Sequence, residues 1–249
     1  MIVAVRVEHI GAATLYLGDC LDVMRDIGRV DHLIGDPPYE AITHAAKSTI
    51  KGLVRPDGSV HRGALDFAPI DGIRDDVVRI GGAICDGWFI VFCTAEGVAR
   101  WADAINPSPL KYKRACVWVK PDSTPQMNGQ GPAQGAEMFV CAWAGAGFAR
   151  WNAGGKRGVY THCVNGKERH GEHPTEKPRR LMAEIIGDFT KPAEVLLDPF
   201  MGSGTTGVAA VQMGRKFIGI ECDARWFDVA CHRIEQAQRQ SDLFIGSAA

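Results

Sequence analysis

Three short segments of this chain are apolar at nearly every position: "HLIGD" at 32–36, "WFIVFC" at 88–93 and "VLLD" at 195–198. A strand with one wet face alternates apolar and polar residues. A strand that is apolar throughout must be covered on both faces. Segments with helical spacing separate these runs. In "CLDVMRDI", Leu21, Met24 and Ile27 fall on one face. Strands alternating with helices imply an α/β fold, a mostly parallel sheet between two helical layers. With 249 residues, 46% of them hydrophobic, the chain suits a single domain spanning 1–249.

The remaining elements follow from periodicity and turn residues. "MIVAVRVEHI" and "AATLYLGD" pair as a hairpin around Gly11. "IDGIRDDVVRIGG" is a helix ended by its glycines, and "AEGVARWADAI" is a helix stopped by Pro107. "KRACVWVK" and "AEMFVCAWAG" are strands. A helix starts near Pro178, another follows in "TTGVAAVQMG", then a strand in "RKFIGIECD" and a closing helix in "ARWFDVACHRIEQAQRQ". Two stretches, 40–69 and 147–172, lack periodicity.

Charge and cysteines narrow the class. A formal net charge of −1 gives no overall attraction to nucleic acid, so any such partner must meet a local patch. The eight cysteines form no C-x-x-C pair and sit in apolar surroundings, as expected of free thiols in a reducing compartment. His170 and His173 have a ligand-like spacing without a thiol cluster, so no metal is expected. The N-terminus does not read as a signal peptide, and no apolar run approaches the ~20 residues of a membrane span. The expected location is the cytoplasm.

Two of the apolar runs end in acids. After "LIG" come Asp36, Pro37, Pro38 and Tyr39. After "VLL" come Asp198 and a glycine-rich turn, with a helix beginning near Thr205. Gly202-x-Gly204-x-x-Gly207 has the spacing of a dinucleotide-binding turn, and Glu221 after the next strand suits ribose hydroxyls. A tight strand-to-helix turn alone also accounts for the glycines. Two cofactors use such a layout. A nicotinamide cofactor wants its pyrophosphate at the helix N-terminus. S-adenosylmethionine carries an ammonium and a sulfonium and wants carboxylates, which Asp36 and Asp198 supply.

Taken in order, these motifs resemble a known family. Asp36-Pro37-Pro38-Tyr39 is similar to the catalytic motif of the amino-group DNA methyltransferases, and "DPFMGSGTT" to their cofactor loop. "HPTEKP" at 173–178 and "LGDCLDVM" at 17–24 resemble the flanking segments of the subgroup with the catalytic motif first, the β-type order. The resemblance spans 14–39 and 173–232, and more weakly 84–145. It implies a three-layer S-adenosylmethionine-dependent methyltransferase fold of Rossmann-like type. Its mostly parallel seven-stranded sheet would have one antiparallel strand at or near the edge. It also implies a base flipped out of double-stranded DNA.

An exocyclic amine is a poor nucleophile because its lone pair is delocalised into the ring. Asp36 can accept one amino hydrogen and the Pro37 carbonyl the other. Pro38 stiffens the turn. Tyr39 offers a ring for stacking, worth ~1–3 kcal/mol against the cost of flipping the base. Asp at the first motif position goes, in the family, with adenine N6; Ser there goes with cytosine N4, the alternative reading. The resemblance also implies the cofactor residues. Asp198 would meet the methionine ammonium, with Phe200, Gly202, Ser203 and Gly204 lining the loop. Thr205 and Thr206 would cap the helix or touch the carboxylate. Glu221 would hold the ribose, with Cys222 beside the adenine. Asp19 and Cys20 would lie near the adenine amine, although Asp19 also suits a plain helix cap. Thr175, Lys177 and Pro178 would close over the methionine end.

Residues 147–180 carry eight basic and three acidic side chains. A solvated basic loop is the ordinary reading. Its place before "HPTEKP" matches the family's target-recognition segment, so 147–172 is read as a short recognition insert. Arg150, Lys156, Arg157, Lys167 and Arg169 would contact DNA phosphates, and an arginine or Asn152 base edges. The segment 40–69 would be a mobile DNA-contacting loop, or an ordinary surface loop. The resemblance also admits a homodimer, and either a restriction endonuclease partner or an orphan enzyme, in a bacterium or phage.

Overall fold

The computed structural model describes residues 4–39, 70–123, 131–165 and 176–246, with side chains to 240. These form nine strands in one sheet, and six α-helices. The strands are β1 (Arg6–Ile10), β2 (Ala13–Leu17), β3 (His32–Gly35), β4 (Trp88–Cys93), β5 (Lys111–Val119), β6 (Ala136–Trp143), β7 (Val159–Thr161), β8 (Val195–Asp198) and β9 (Lys216–Glu221). The helices are α1 (Cys20–Asp26), α2 (Arg74–Ile84), α3 (Gly97–Ile105), α4 (Arg179–Phe189), α5 (Thr205–Gln212) and α6 (Ala224–Gly246).

The sheet order is β1-β2-β9-β8-β3-β4-β6-β5-β7. Seven strands share one direction. β6 runs against β4 and β5, and β1 runs against β2. The sheet is thus mostly parallel, as the motifs imply, with nine strands in place of seven. The hairpin strand β1 extends one edge, and the three-residue β7, pairing with β5, extends the other. β7 lies in the stretch 147–172, where it is too short to show a period. The reversed β6 lies one strand inside β5.

Alternation through the apolar strands builds two cores. Leu33, Phe89, Val91 and Leu197 face one way, onto Val23 and Met24 of α1, Val77 and Ile80 of α2, and Trp101 of α3. Ile34, Ile90, Phe92 and Leu196 face the other, onto Leu181 and Ile185 of α4, Val208 of α5 and Phe227 of α6. Gly81 and Gly82 do not end α2, which continues to Ile84. A Cβ at Gly81 would stand 2.9 Å from Leu33 Cδ1 and 3.1 Å from Phe89 Cε2. The glycine therefore lets the helix lie close against β3 and β4. Gly81→Val overpacks that contact, with an expected loss of ~1–3 kcal/mol. Thermal unfolding should register this as a clear fall in Tm; an unchanged Tm would show that the neighbours yield without cost.

Candidate active site

The central strands β3 and β8 are adjacent and parallel, and their C-terminal ends carry Asp36 and Asp198. The chain runs outward from this pair in both directions, so the crevice at their ends is where ligands bind in open α/β sheets. Gly35 keeps the ends close: a Cβ there would lie 3.3 Å from both Phe200 and Pro199, and 3.7 Å from Asp198 Oδ1.

Three charged side chains and a phenol meet beside Asp36. Lys177 donates from Nζ to Asp36 Oδ2 at 2.6 Å and to the Tyr39 hydroxyl oxygen at 3.0 Å. The Tyr39 hydroxyl donates to Glu137 Oε2 at 2.6 Å, and Lys177 Nζ is 3.2 Å from the same oxygen. Glu137 Oε1 accepts from Lys120. The Lys177 ammonium also sits 5.1 Å from the Phe92 ring centre and 5.2 Å from that of Tyr39. Burial alone would lower its pKa, but the carboxylates of Asp36 and Glu137 outweigh that and raise it. Burial likewise opposes ionisation of Glu137, yet the two lysines bring it down to about 2. Asp36 is shifted up, chiefly by burial, against the pull of Lys177. Its other oxygen, Oδ1, is buried and has no hydrogen-bond partner among the described residues.

The glycine turn after Asp198 is held from three sides. Gly202 and Gly204 have φ of 51° and 83°, a left-handed conformation that glycine adopts without strain. Gly202 N–H donates to Glu221 Oε2 at 2.9 Å, and Met201 N–H to the Ile220 carbonyl at 3.0 Å. A Cβ at Gly204 would stand 2.9 Å from Ala230 Cβ, so the turn lies directly on α6. From that helix Arg233 donates to the Ser203 carbonyl at 2.7 Å and hydroxyl at 2.8 Å, and to Glu176 Oε1 at 2.6 Å. Asp198 accepts from Phe200 N–H at 3.0 Å and from Thr206. Burial pushes its pKa up to about 7, helped by the charges of Asp36 and Glu221. Burial also raises Glu221, which accepts from Asp223 N–H at 2.8 Å.

A family model described as DNA methylase, covering the N6 and N4 amino-group enzymes, matches residues 84–231, more than half of the chain. The chain belongs to the N6/N4 DNA methylase family. It is 49% identical over 65 residues to the type II methyltransferase M2.DpnII of Streptococcus pneumoniae, and 47% over 66 residues to M2.LlaDCHI of Lactococcus lactis subsp. cremoris. Each match spans 26% of this chain and 24% of the relative. A crystal structure of the M1.HpyAVI–SAM complex superimposes with a TM-score of 0.69 at 26% identity, covering 89% of this chain and 98% of that one. The cytosine-N4-specific PvuII DNA methyltransferase shares the fold, with a TM-score of 0.67 at 16% identity, covering 95% of each chain.

Within this family frame, several expected site residues have roles of their own. Lys177, expected over the methionine end of the cofactor, reaches Asp36 and Tyr39. Asp19 caps α1, accepting from Leu21 and Asp22 N–H at 2.8 and 3.1 Å. Cys20 beside it is buried enough to push its thiol up to about 12, and Cys222 is close enough to contribute. Gly18 N–H donates to the Glu221 carbonyl, so this pair adjoins the β9 end. Thr205 is the first residue of α5 and Gly204 its cap; Pro178 precedes α4. Thr175 lies outside the described residues, as do His170 and His173 and the segment 40–69.

The basic stretch is divided. The Trp88 indole donates to the Arg150 carbonyl, and the Arg150 guanidinium lies 3.6 Å from Glu194. Both contacts are at the N-terminal ends of β4 and β8, the edge opposite Asp36. The six-residue β4 separates the two edges by ~17 Å. Asn152 donates to the Gly187 and Thr190 carbonyls and so closes the end of α4. Lys156 pairs with Glu184 and Asp188. Arg157 is exposed, and Lys167 and Arg169 lie outside the described residues. Sequence reading missed Glu137 and Lys120. Their signal was a single acid inside the apolar run "AEMFVCAW" and a lysine closing "ACVWVK".

Arg233 and Glu176 are 5% and 3% exposed at their side chains. Removing one partner of a buried ion pair typically costs ~3–5 kcal/mol because the other charge is stranded. Arg233→Met should therefore lower Tm strongly, and adding Glu176→Gln should restore part of the loss. Equal Tm values for the wild type and Arg233→Met would show that this pair does not hold the glycine turn.

Proposed function

We propose that the protein transfers a methyl group from S-adenosylmethionine to the N6 amine of an adenine flipped out of double-stranded DNA. The observation that carries this reading is Asp36 Oδ1, buried and unpartnered while Oδ2 is held by Lys177. A buried acceptor without a donor is unfavourable, and an incoming amine N–H relieves it. Membership of the N6/N4 DNA methylase family supports DNA as the substrate. Aspartate at the first position of the motif supports adenine over cytosine.

When bound, S-adenosylmethionine supplies an electrophilic sulfonium methyl. The donor set suits it. Asp36, Asp198 and Glu221 gather at one sheet edge, where a cation relieves their repulsion and a pyrophosphate would add to it. Asp36 accepts one amine hydrogen and the Pro37 carbonyl the other, which makes the nitrogen more tetrahedral and aims its lone pair. The methylated nitrogen must then lose a proton, and Asp36, whose burial raises its proton affinity, is the adjacent acceptor. Tyr39 contributes its ring, since its hydroxyl is engaged by Glu137 and Lys177.

Incubation with unmethylated genomic DNA and S-adenosylmethionine, followed by nucleoside mass spectrometry, should yield N6-methyladenine. N4-methylcytosine would reassign the base, and no methylated base would remove the activity. Asp36→Ala should lose tens- to hundreds-fold in turnover, the equivalent of ~1.5–3 kcal/mol for a hydrogen bond to a charged group.

Cofactor binding should also depend on pH. Asp198 titrates at about 7 in the free protein. A neighbouring cation favours its ionised form, so binding releases a proton and affinity increases as pH rises through that value. Between roughly pH 6 and pH 8 the gain is about tenfold for one linked group. Calorimetry on Asp198→Asn should give a flatter, weaker profile; an unchanged slope would assign the linkage elsewhere.

A further inference from the structure

Glu137 comes from β6, while the residues it organises come from two other places in the chain: Tyr39 after β3, and Lys177 before α4. One carboxylate oxygen, Oε2, receives the Tyr39 hydroxyl at 2.6 Å and faces the Lys177 ammonium at 3.2 Å. The other, Oε1, is taken by Lys120, which also lies 4.7 Å over the Trp118 ring. Both lysines and Glu137 are largely buried, with side-chain exposures of 12%, 12% and 7% for Lys120, Glu137 and Lys177. Such a cluster is costly to bury for stability alone, since apolar residues of similar volume often serve as well.

Its geometry has a consequence at Asp36. An ammonium facing a single carboxylate is free to bridge both oxygens. Here Glu137 and Tyr39 draw Lys177 to one side, so that it bonds Oδ2 and leaves Oδ1 open. The same oxygen of Glu137 anchors the Tyr39 ring by its hydroxyl. The two halves of the base socket, acceptor and ring, are therefore registered by one residue.

We propose that Glu137, clamped by Lys120, is a positioning residue for methyl transfer, holding Lys177 on Asp36 Oδ2 and the Tyr39 ring in register so that Asp36 Oδ1 receives the amine. This rests on the methyl-transfer reading above.

The test is steady-state kinetics of wild type, Glu137→Gln and Lys120→Gln across pH, with S-adenosylmethionine binding by calorimetry as a control for folding. Glu137→Gln should lower kcat by ~10–100-fold, the scale of a small misplacement of reacting groups. Its affinity for S-adenosylmethionine should stay within about threefold, because Glu137 contacts none of the glycine-turn residues that would hold that cofactor. Among the described residues, the ionisable neighbours facing Lys177 are Asp36, Tyr39 and Glu137, with Lys120 behind Glu137. Losing the Glu137 charge makes Lys177 easier to deprotonate, so the alkaline limb of kcat should move to lower pH. Losing the Lys120 charge favours the protonated Lys177, so that variant should keep the wild-type behaviour at high pH with a smaller fall in kcat. A limb that moves into the working range in Glu137→Gln and not in Lys120→Gln is what a merely structural residue would not produce.

Near-wild-type kcat in Glu137→Gln overturns the inference and leaves the methyltransferase reading intact. So does an alkaline limb that stays in place in Glu137→Gln, or that moves equally far down in Lys120→Gln. If Glu137→Gln no longer binds the cofactor, Glu137→Asp decides: a clear fall in kcat with S-adenosylmethionine affinity retained supports the inference, and wild-type kcat overturns it. A wild type that methylates no DNA removes both readings.

Discussion

A lysine ammonium held between two carboxylates inside the protein is the interaction on which the site depends. Lys177 sees little water, and its charge persists because Asp36 and Glu137 both face it. The arrangement is mutual. Without the ammonium, Asp36 and Glu137 would be two buried like charges that could not both stay ionised. Buried charge is tolerated only when paired and hydrogen-bonded, and here each member has at least one partner in place.

The pairing constrains the fold. Asp36 must end a strand beside Asp198, which needs Gly35 to let the two ends approach. Glu137 must arrive at the same edge from a strand on the other side of β4. The reversal of β6 achieves this: because β6 runs against β4, its first residues lie beside the last residues of β4, with Met138 opposite Cys93. A parallel strand in that position would bring its beginning to the opposite edge. The antiparallel strand thus places an acid in the site near the start of an apolar run.

Much of this was legible in the sequence. The apolar runs ending in Asp36 and Asp198, the turn glycines at 202 and 204, and the helix after Pro178 depend on local chemistry: period, turn residues and breakers. The parts that were not legible depend on contacts distant in sequence. Gly81 and Gly82 look like a helix stop, yet they are flat ground for packing against Leu33, Phe89 and Leu110. The basic surplus of 147–180 looks like a binding surface. Within the protein Arg150, Lys156 and Arg179 meet Glu194, Glu184 with Asp188, and Gln212, contacts that a window of charge cannot foresee. Lys177 is conspicuous within "HPTEKP", but its partner Glu137 lies on a strand forty residues earlier and carries no motif.

The result is a division of charge along one sheet edge. Among the described residues around Asp36 the two acids and two lysines balance, so this part of the proposed socket is polar and neutral. An uncharged base with an amine fits such a place, because it gains hydrogen bonds without carrying a charge out of water. Farther along, Asp198 and Glu221 are held by backbone N–H groups and hydroxyl or thiol donors rather than by lysine or arginine. Those contacts orient the carboxylates without cancelling their charge, which is why burial lifts both, with the charges of Asp36 and Glu221 adding to the rise at Asp198. That unbalanced pair suits a cation. A single edge can therefore hold a neutral nucleophile and a positively charged donor side by side, each in the electrostatic surroundings it requires, with Asp36 at the boundary between them.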